Sequence, residues 1–111
     1  TNLTYLQELR LNDNIFSGTI PDNIGNLSSL RVLRLNKNKF INVIPESIGN
    51  LINLERLYLS NNRLTGYIPL SICDLGITHF YYQGNNICPP YPVLDCATST
   101  TYGENAQECE P

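Results

Sequence analysis

The chain has 111 residues, of which 41% are hydrophobic and 15% charged, and seven Lys and Arg against ten Asp and Glu give a formal net charge of -3. This length suits one domain rather than two, and the acidic balance argues against general nucleic-acid binding. No run approaches the roughly 18 uninterrupted apolar residues of a membrane-spanning helix, so we expect no membrane span in this segment.

The sequence repeats with a period of 24 residues. A period in this range indicates a solenoid, in which successive coils stack side by side. A fourth, degenerate unit falls into register once one residue is deleted between Leu75 and Ile77, where we expect a connecting turn. The recurring columns include Leu3/Leu27/Leu51/Leu75, Leu9/Leu33/Leu57, Leu11/Leu35/Leu59, Asn14/Asn38/Asn62 and Pro21/Pro45/Pro69.

Each column has a physical interpretation. Leu9 and Leu11 alternate with Arg10, which predicts a short strand with both leucines inward and the arginine outward, so each coil adds one strand to a parallel sheet. The Asn column predicts buried amides that bond the backbone where the chain leaves the strand. Gly18 predicts a tight bend, and Asn42 replaces that glycine because Asn tolerates left-handed backbone angles. The following proline predicts a short helical turn on the outer side.

The runs F-S-G-T-I-P at 16–21, I-G-N-L at 24–27 and L-T-G-Y-I-P at 64–69 resemble the plant-type extracellular leucine-rich repeat. That family includes receptor-kinase ectodomains and polygalacturonase-inhibiting proteins, and its shared function is binding. The resemblance implies an α/β solenoid with a parallel concave sheet and short helical or 3-10 turns on the convex side, located outside the cell or on its surface.

The resemblance also implies a domain organisation. We expect leucine-rich repeats over residues 1–87 and a disulfide-stapled cap over 88–111, similar to the C-terminal segment of secreted marine bacterial or algal repeat proteins. The chain opens in the last turn of a preceding unit, without a cysteine-paired N-terminal cap. We therefore interpret it as the C-terminal fragment of a longer ectodomain.

The four cysteines are Cys73, Cys88, Cys96 and Cys109. Their spacings of 14, 7 and 12 intervening residues lack the C-x2-C pairs of a zinc site, so we expect no metal. An even number of cysteines in a secreted-type repeat predicts disulfides. By resemblance to the closing loop of plant-type caps, Cys88 pairs with Cys96 and Cys73 with Cys109. The pairing of Cys73 with Cys88 and of Cys96 with Cys109 stays open.

Outward-facing strand positions are the candidate ligand-binding surface, since the core does not dictate them. One column holds Arg and Tyr, a second holds Arg and His, and neighbours along a column should lie about 4.8 Å apart. Arg and Tyr are enriched at binding hot spots. The predicted ligand-binding residues are Arg10, Arg34, Arg56, Tyr58, His79 and Tyr81.

The charges of this face suggest a partner. Five basic residues stand there against three acidic ones, which favours an acidic partner such as a carboxylate-bearing peptide or an acidic polysaccharide. The alternative is that these are ordinary solvated charges that keep the protein soluble. Two N-glycosylation sequons begin at Asn2 and Asn26, although the repeat consensus itself supplies both.

We expect no enzyme activity and no cofactor. The single histidine, His79, lies in a strand that faces away from the cysteines of the tail, and the carboxylates of the concave face lie among arginines that keep them ionised. The sequence therefore predicts a non-catalytic extracellular module that binds a protein, peptide or glycan through its concave sheet. The alternative is a structural or surface-adhesion protein, including an ice-binding one, whose repetition is itself the function.

Overall fold

The computed structural model describes residues 5–88. Within them, the strands in chain order are β1 (Glu8–Arg10), β2 (Ser17–Thr19), β3 (Val32–Arg34), β4 (Lys39–Asn42), β5 (Arg56–Tyr58), β6 (Arg63–Leu64) and β7 (His79–Tyr81). They form two parallel sheets, a four-stranded one in the order β1-β3-β5-β7 and a three-stranded one in the order β2-β4-β6. The predicted solenoid with a parallel concave sheet is confirmed.

The predicted inward leucines form the core. Leu33 and Leu57 are fully buried and lie opposite each other in the four-stranded sheet. Leu9, the corresponding residue of the first strand, is only partly buried. Burying such side chains is the main favourable term in folding, about 1.5–3 kcal/mol each. Each coil of the solenoid is therefore stabilised mainly by the leucines of the coils beside it.

The middle of the Asn column, Asn38 and Asn62, is buried and bonded to the backbone as predicted, whereas Asn14 at its N-terminal end is exposed. The Asn62 Nδ2 donates to the carbonyl oxygens of Leu35 at 2.9 Å and Leu59 at 3.1 Å, and its Oδ1 accepts from the Phe40 amide at 3.1 Å. Asn38 makes the equivalent bonds one coil earlier. These bonds cross from one coil to the next, so the asparagines hold neighbouring coils in register.

Short 3-10 helices form the convex side, at Asp22–Asn26, Glu46–Asn50 and Leu70–Asp74. A proline precedes each of them in an extended conformation, so it stands one residue outside the helix rather than at its first position. Gly49 allows the second and third helices to approach closely, since a Cβ there would collide with the Ser71 side chain. No helix among residues 5–88 has the length and apolar character needed to cross a membrane.

The three-stranded sheet was not predicted from the sequence. It forms after the chain leaves the concave strand, where Gly18 and Asn42 have positive φ angles of 82° and 65°, as the sequence led us to expect for that bend. The sheet continues toward the last coil through a parallel bridge between Tyr67 and Cys88. The solenoid thus has a second regular surface on its flank, beside the concave one.

Candidate ligand-binding surface on the concave sheet

The structure brings the predicted site residues together in two adjacent columns. One column contains Arg10, Arg34, Tyr58 and Tyr81, which lie opposite one another on β1, β3, β5 and β7. In the other, Arg56 lies opposite His79. The regular leucines of each strand fix this register, because a slip by one residue would turn them outward to water.

Three side chains of the first column form a continuous stack. The Arg34 guanidinium carbon lies 4.3 Å from the centre of the Tyr58 ring. On its other side, the Tyr58 ring is stacked on Tyr81, with 5.1 Å between ring centres and 20° between ring planes. A cation over a tyrosine contributes about 0.5–1 kcal/mol at an exposed site, and an aromatic pair about as much. Both contacts therefore favour this arrangement of the three side chains in the free protein.

Arg10 stands apart from this stack because a carboxylate holds it. The Glu8 carboxylate accepts a hydrogen bond from Arg10 and lies 3.3 Å from the Arg34 Nε. The Arg10 hydrogen bond is the largest influence on Glu8 and lowers the pKa of its carboxyl group; the hydrogen bond from Arg34 lowers that pKa further. Glu8 therefore offsets one of the two positive charges at the N-terminal end of the column.

Two further acids of the concave face are also paired. Arg31 donates to the Glu55 carboxylate at 2.9 Å, and the Lys37 Nζ lies 3.8 Å from an Asp13 oxygen. Exposed pairs of this kind add little stability, about 0–1 kcal/mol, yet they determine which charges remain for a ligand. Arg56 forms no ion pair with any of the residues 5–88.

Arg56 is therefore the basic residue of this face without an ion pair among residues 5–88. It is exposed on β5, beside His79, whose Nδ1 lies 2.9 Å from the Thr78 hydroxyl. The His79 ring also lies 6.3 Å from the Tyr81 ring. The C-terminal half of the concave sheet thus combines a free guanidinium, an imidazole and an ordered aromatic stack. We refer to Arg34, Arg56, Tyr58, His79 and Tyr81 as the Arg/Tyr/His patch.

The other predicted sites lie elsewhere. Asn26 is exposed at the end of the first 3-10 helix, whereas Asn2 lies outside the described residues. Neither Cys73 nor Cys88 is a free thiol, and Cys96 and Cys109 lie outside the described residues. Their pairing therefore stays a prediction. Across residues 5–88, no cluster of three or more His, Cys, Asp or Glu side chains is arranged to hold a metal ion.

Sequence reasoning missed the exposed apolar surface on the flank of the solenoid. Val43 and Tyr67 are each 53% exposed there, and Leu70 is 83% exposed. The signal was present in the 24-residue columns, because Val43 and Tyr67 occupy the same position of successive repeats and Thr19 occupies it in the first. We return to this surface below.

Comparison with protein families finds a match to the leucine-rich repeat model over residues 4–64 and again over 28–87. A comparison with curated protein sequences found no match. Among solved structures, the plant peptide hormone receptor RGFR1 in complex with RGF2 is 32% identical with a TM-score of 0.76, covering 80% of this chain and 14% of that one.

Two further solved structures are similar. The BIR2 ectodomain from Arabidopsis thaliana is 31% identical with a TM-score of 0.74, covering 84% of this chain and 56% of that one. A plant ice-binding protein is 35% identical with a TM-score of 0.72, covering 77% of this chain and 28% of that one. The chain thus spans only 14% and 56% of the two receptor structures.

Proposed function

Because the chain belongs to the leucine-rich repeat family, with repeats of the plant extracellular type, we propose that it is a non-catalytic recognition module that binds a protein or peptide through its concave sheet, outside the cell. The observation that carries this proposal is the ordered stack of Arg34, Tyr58 and Tyr81 beside the unpaired Arg56. RGFR1, a receptor of the same fold, is found in complex with RGF2.

The stack supports binding because it reduces the entropic cost of association. Ordering a side chain at an interface costs about 0.5–1.5 kcal/mol, and Arg34 and Tyr58 are already held in place in the unbound protein. Arg and Tyr also supply large contact areas and directional donors, which is why they dominate hot spots. A partner that covers this patch therefore gains contacts without first having to order it.

Arg56 determines the chemistry of the proposed partner. The three acidic residues of the concave face pair with four of its five basic residues, so the face keeps a net positive charge, and Arg56 is its basic residue without an ion pair among residues 5–88. A carboxylate that displaces water there forms a charge-assisted hydrogen bond, the stronger kind. We accordingly propose an acidic peptide segment as the ligand, with an acidic polysaccharide as the second source of the same carboxylate chemistry.

This proposal can be tested with two defined probes, a labelled Glu-rich decapeptide and an oligogalacturonate, by fluorescence anisotropy with the 111-residue chain. We expect Arg56→Gln to weaken binding about fivefold, since it removes one exposed charge-assisted hydrogen bond. The matched control is Arg63→Gln, which removes an exposed arginine from β6 on the other sheet and should leave affinity unchanged. Equal losses in both variants, or no binding of either probe, would contradict the proposal.

Ice binding is the second candidate, and the observation that favours it is the similarity to a plant ice-binding protein. Ice binding requires a flat, regular surface, and the second sheet is the regular surface available. Its outward positions, however, mix Ser17 and Thr19 with Lys39, Ile41 and Arg63. Thermal hysteresis measured at millimolar protein concentration separates the two candidates. A recognition module should show no difference between the melting and freezing temperatures of the solution, whereas such a difference would favour ice binding.

We propose that residues 88–111 close the C-terminal end of the solenoid and that disulfides hold this cap. Supporting this, Cys73 and Cys88 are both disulfide-bonded, and the backbone of Cys88 is paired with the preceding coil through Gly66. Closing loops of this length stabilises by about 2–4 kcal/mol. Peptide mapping without reductant distinguishes a Cys88–Cys96 bond from the Cys73–Cys88 alternative, and four free thiols in the native protein would refute the cap.

An extracellular location fits the same proposal. Asn26 is exposed on the convex side, where an attached glycan would not cover the concave sheet. We expect the protein secreted from a eukaryotic host to lose mass at Asn26 on treatment with an N-glycosidase. An unmodified Asn26 in such a preparation would remove this part of the proposal and leave the binding function untouched.

A further inference from the structure

The flank of the solenoid exposes more large apolar side chains than the concave face does. Among residues 5–88, most of the well-exposed large hydrophobic residues lie on this flank. They belong to the second sheet, lie next to one of its strands, or begin the third 3-10 helix, and they are Ile15, Phe16, Ile41, Val43, Tyr67 and Leu70. Scattered apolar residues are normal on a surface, but a contiguous group marks an interaction site.

The flank contains two adjoining surface cavities. A cavity of about 520 Å³ lies between the second and third coils, with Val43, Tyr67 and Leu70 on its walls. A second cavity, of about 320 Å³, adjoins it and shares Val43 with it. Together they form a groove that crosses three coils, which we call the flank groove.

The flank groove also contains two carboxylates. Asp22 and Glu46, the first residues of the first two 3-10 helices, both line the larger cavity, and the same position in the third helix is Leu70. Within residues 5–88, neither carboxylate forms an ion pair. The groove therefore changes along its length from acidic at the first two coils to apolar at the third.

The change from acidic to apolar residues along the flank groove indicates which kind of partner fits it. We propose that the flank groove binds a short basic and apolar peptide segment of a partner protein, with one or two Lys or Arg beside Asp22 and Glu46 and an adjacent apolar side chain against Tyr67 and Leu70. Complementary charge steers such a segment into place and fixes its direction, while burial of the apolar residue supplies affinity.

The composition of residues 89–111 is not complementary to this groove. They include Asp95, Glu104, Glu108 and Glu110 and no Lys or Arg, so they offer no cation for Asp22 or Glu46. The flank groove also differs from the Arg/Tyr/His patch in sign, since the patch is basic. The two surfaces therefore select partners of opposite charge, and the flank groove does not depend on the proposed concave-face function.

The test uses a labelled hexapeptide, acetyl-Gly-Lys-Lys-Phe-Leu-Gly-amide, and two relatives in which Glu replaces both Lys or Ser replaces both Phe and Leu. Anisotropy titrations with the 111-residue chain at low salt should show binding of the first peptide alone, weakening as salt is added. We expect the double variant Asp22→Asn, Glu46→Gln to weaken binding of the first peptide about three- to tenfold. Leu70→Ser should also weaken this binding, but it should leave the dependence of the affinity on salt concentration unchanged.

The matched control is Asp74→Asn, which removes an exposed carboxylate of the third 3-10 helix that does not line the groove. It should bind as the unaltered chain does, and so should Arg56→Gln. The proposal is overturned if the Glu peptide binds equally well, if Asp74→Asn weakens binding as much as the groove variants, or if no peptide binds. Sedimentation that shows a dimer disrupted by Leu70→Ser would assign the groove to a second copy and overturn it too.

Discussion

The buried asparagine Asn62 provides the sharpest test of how the coils are held together. Replacing Asn62 with Ala leaves the Phe40 amide without its partner. It also removes one of two donors to the carbonyl oxygens of Leu35 and Leu59, which keep their bonds from Asn38 and Asn85 respectively. Asn62 is buried, at 7% exposure, so water cannot replace the lost bonds. A buried backbone group left unpaired costs about 1–3 kcal/mol. The unpaired Phe40 amide, together with the weaker pairing of the two carbonyls, should therefore lower the free energy of unfolding by about 2–3 kcal/mol.

Asn14 is the matched control in the same column. It is exposed, and its side chain bonds only carbonyls of its own loop, those of Leu11 and Asn12, at 3.0 Å each. Water can take over both bonds, so Asn14→Ala should cost about 1 kcal/mol or less. The same substitution at two positions thus separates the effect of burial from that of helix or strand propensity.

Urea unfolding of the 111-residue chain, followed by circular dichroism, measures the difference. The midpoint should fall far more for Asn62→Ala than for Asn14→Ala, and the melting temperature should fall by about 4–8 °C for each kcal/mol lost. Asn62→Asp, which keeps the acceptor for Phe40 and loses both donated bonds, should also be strongly destabilising. Equal shifts of the urea midpoint for the Asn14 and Asn62 alanine variants would refute the argument that hydrogen bonds from buried asparagines to the backbone hold the coils together.

Three further predictions concern backbone strain, coil packing and pH. Lys37 has a left-handed φ of 61°, so Lys37→Asn should raise the unfolding free energy by about 0.5–1 kcal/mol in urea titrations. Gly49→Ala should lower it by about 1–3 kcal/mol, because the new methyl collides with the serine of the next coil, whereas Gly76→Ala, with open space at that Cβ, should not. NMR titration should give Glu8 a pKa below 4.5 because Arg10 bonds the ionised form. Its small stabilisation is therefore present above pH 4.5 and is lost as the pH falls through the folded-state value, a dependence that Glu8→Gln should abolish.

The sequence predicted the concave sheet because its signals are local and strict. Leu33 and Leu57 repeat at one spacing, and a single inward face explains them. The second sheet escaped prediction for the opposite reason. β2 is exposed along its whole length, and Asn42, at the end of β4, has left-handed backbone angles that sequence reasoning assigns to a turn. Its strands are defined by hydrogen bonds to neighbouring coils rather than by alternating burial.

The candidate site, like the fold, could be predicted from the sequence only in part. The strand register placed Arg34, Tyr58 and Tyr81 in one column, and this could be read from the sequence. Which charges are free could not, because it depends on side-chain reach between strands: Glu8 lies beside both Arg10 and Arg34. The composition of the face suggested a diffuse positive surface, whereas the ion pairs among residues 5–88 leave Arg56 unpaired and make Arg10 and Arg34 share one carboxylate.

The distribution of charge gives the solenoid two surfaces with different chemistry. Strand positions carry the arginines and tyrosines of the concave face, while the first residues of the 3-10 helices carry Asp22 and Glu46 on the flank. The positions that carry these residues recur in each coil, although the helix position is Leu70 in the third, so the two surfaces run side by side along the solenoid. In a repeat protein each coil interacts mainly with its neighbours, and exposed residues on separate faces with no shared partners behave independently. We therefore expect the proposed concave-face partner and the proposed flank-groove peptide to bind at the same time, because core leucines such as Leu57 keep the two faces apart.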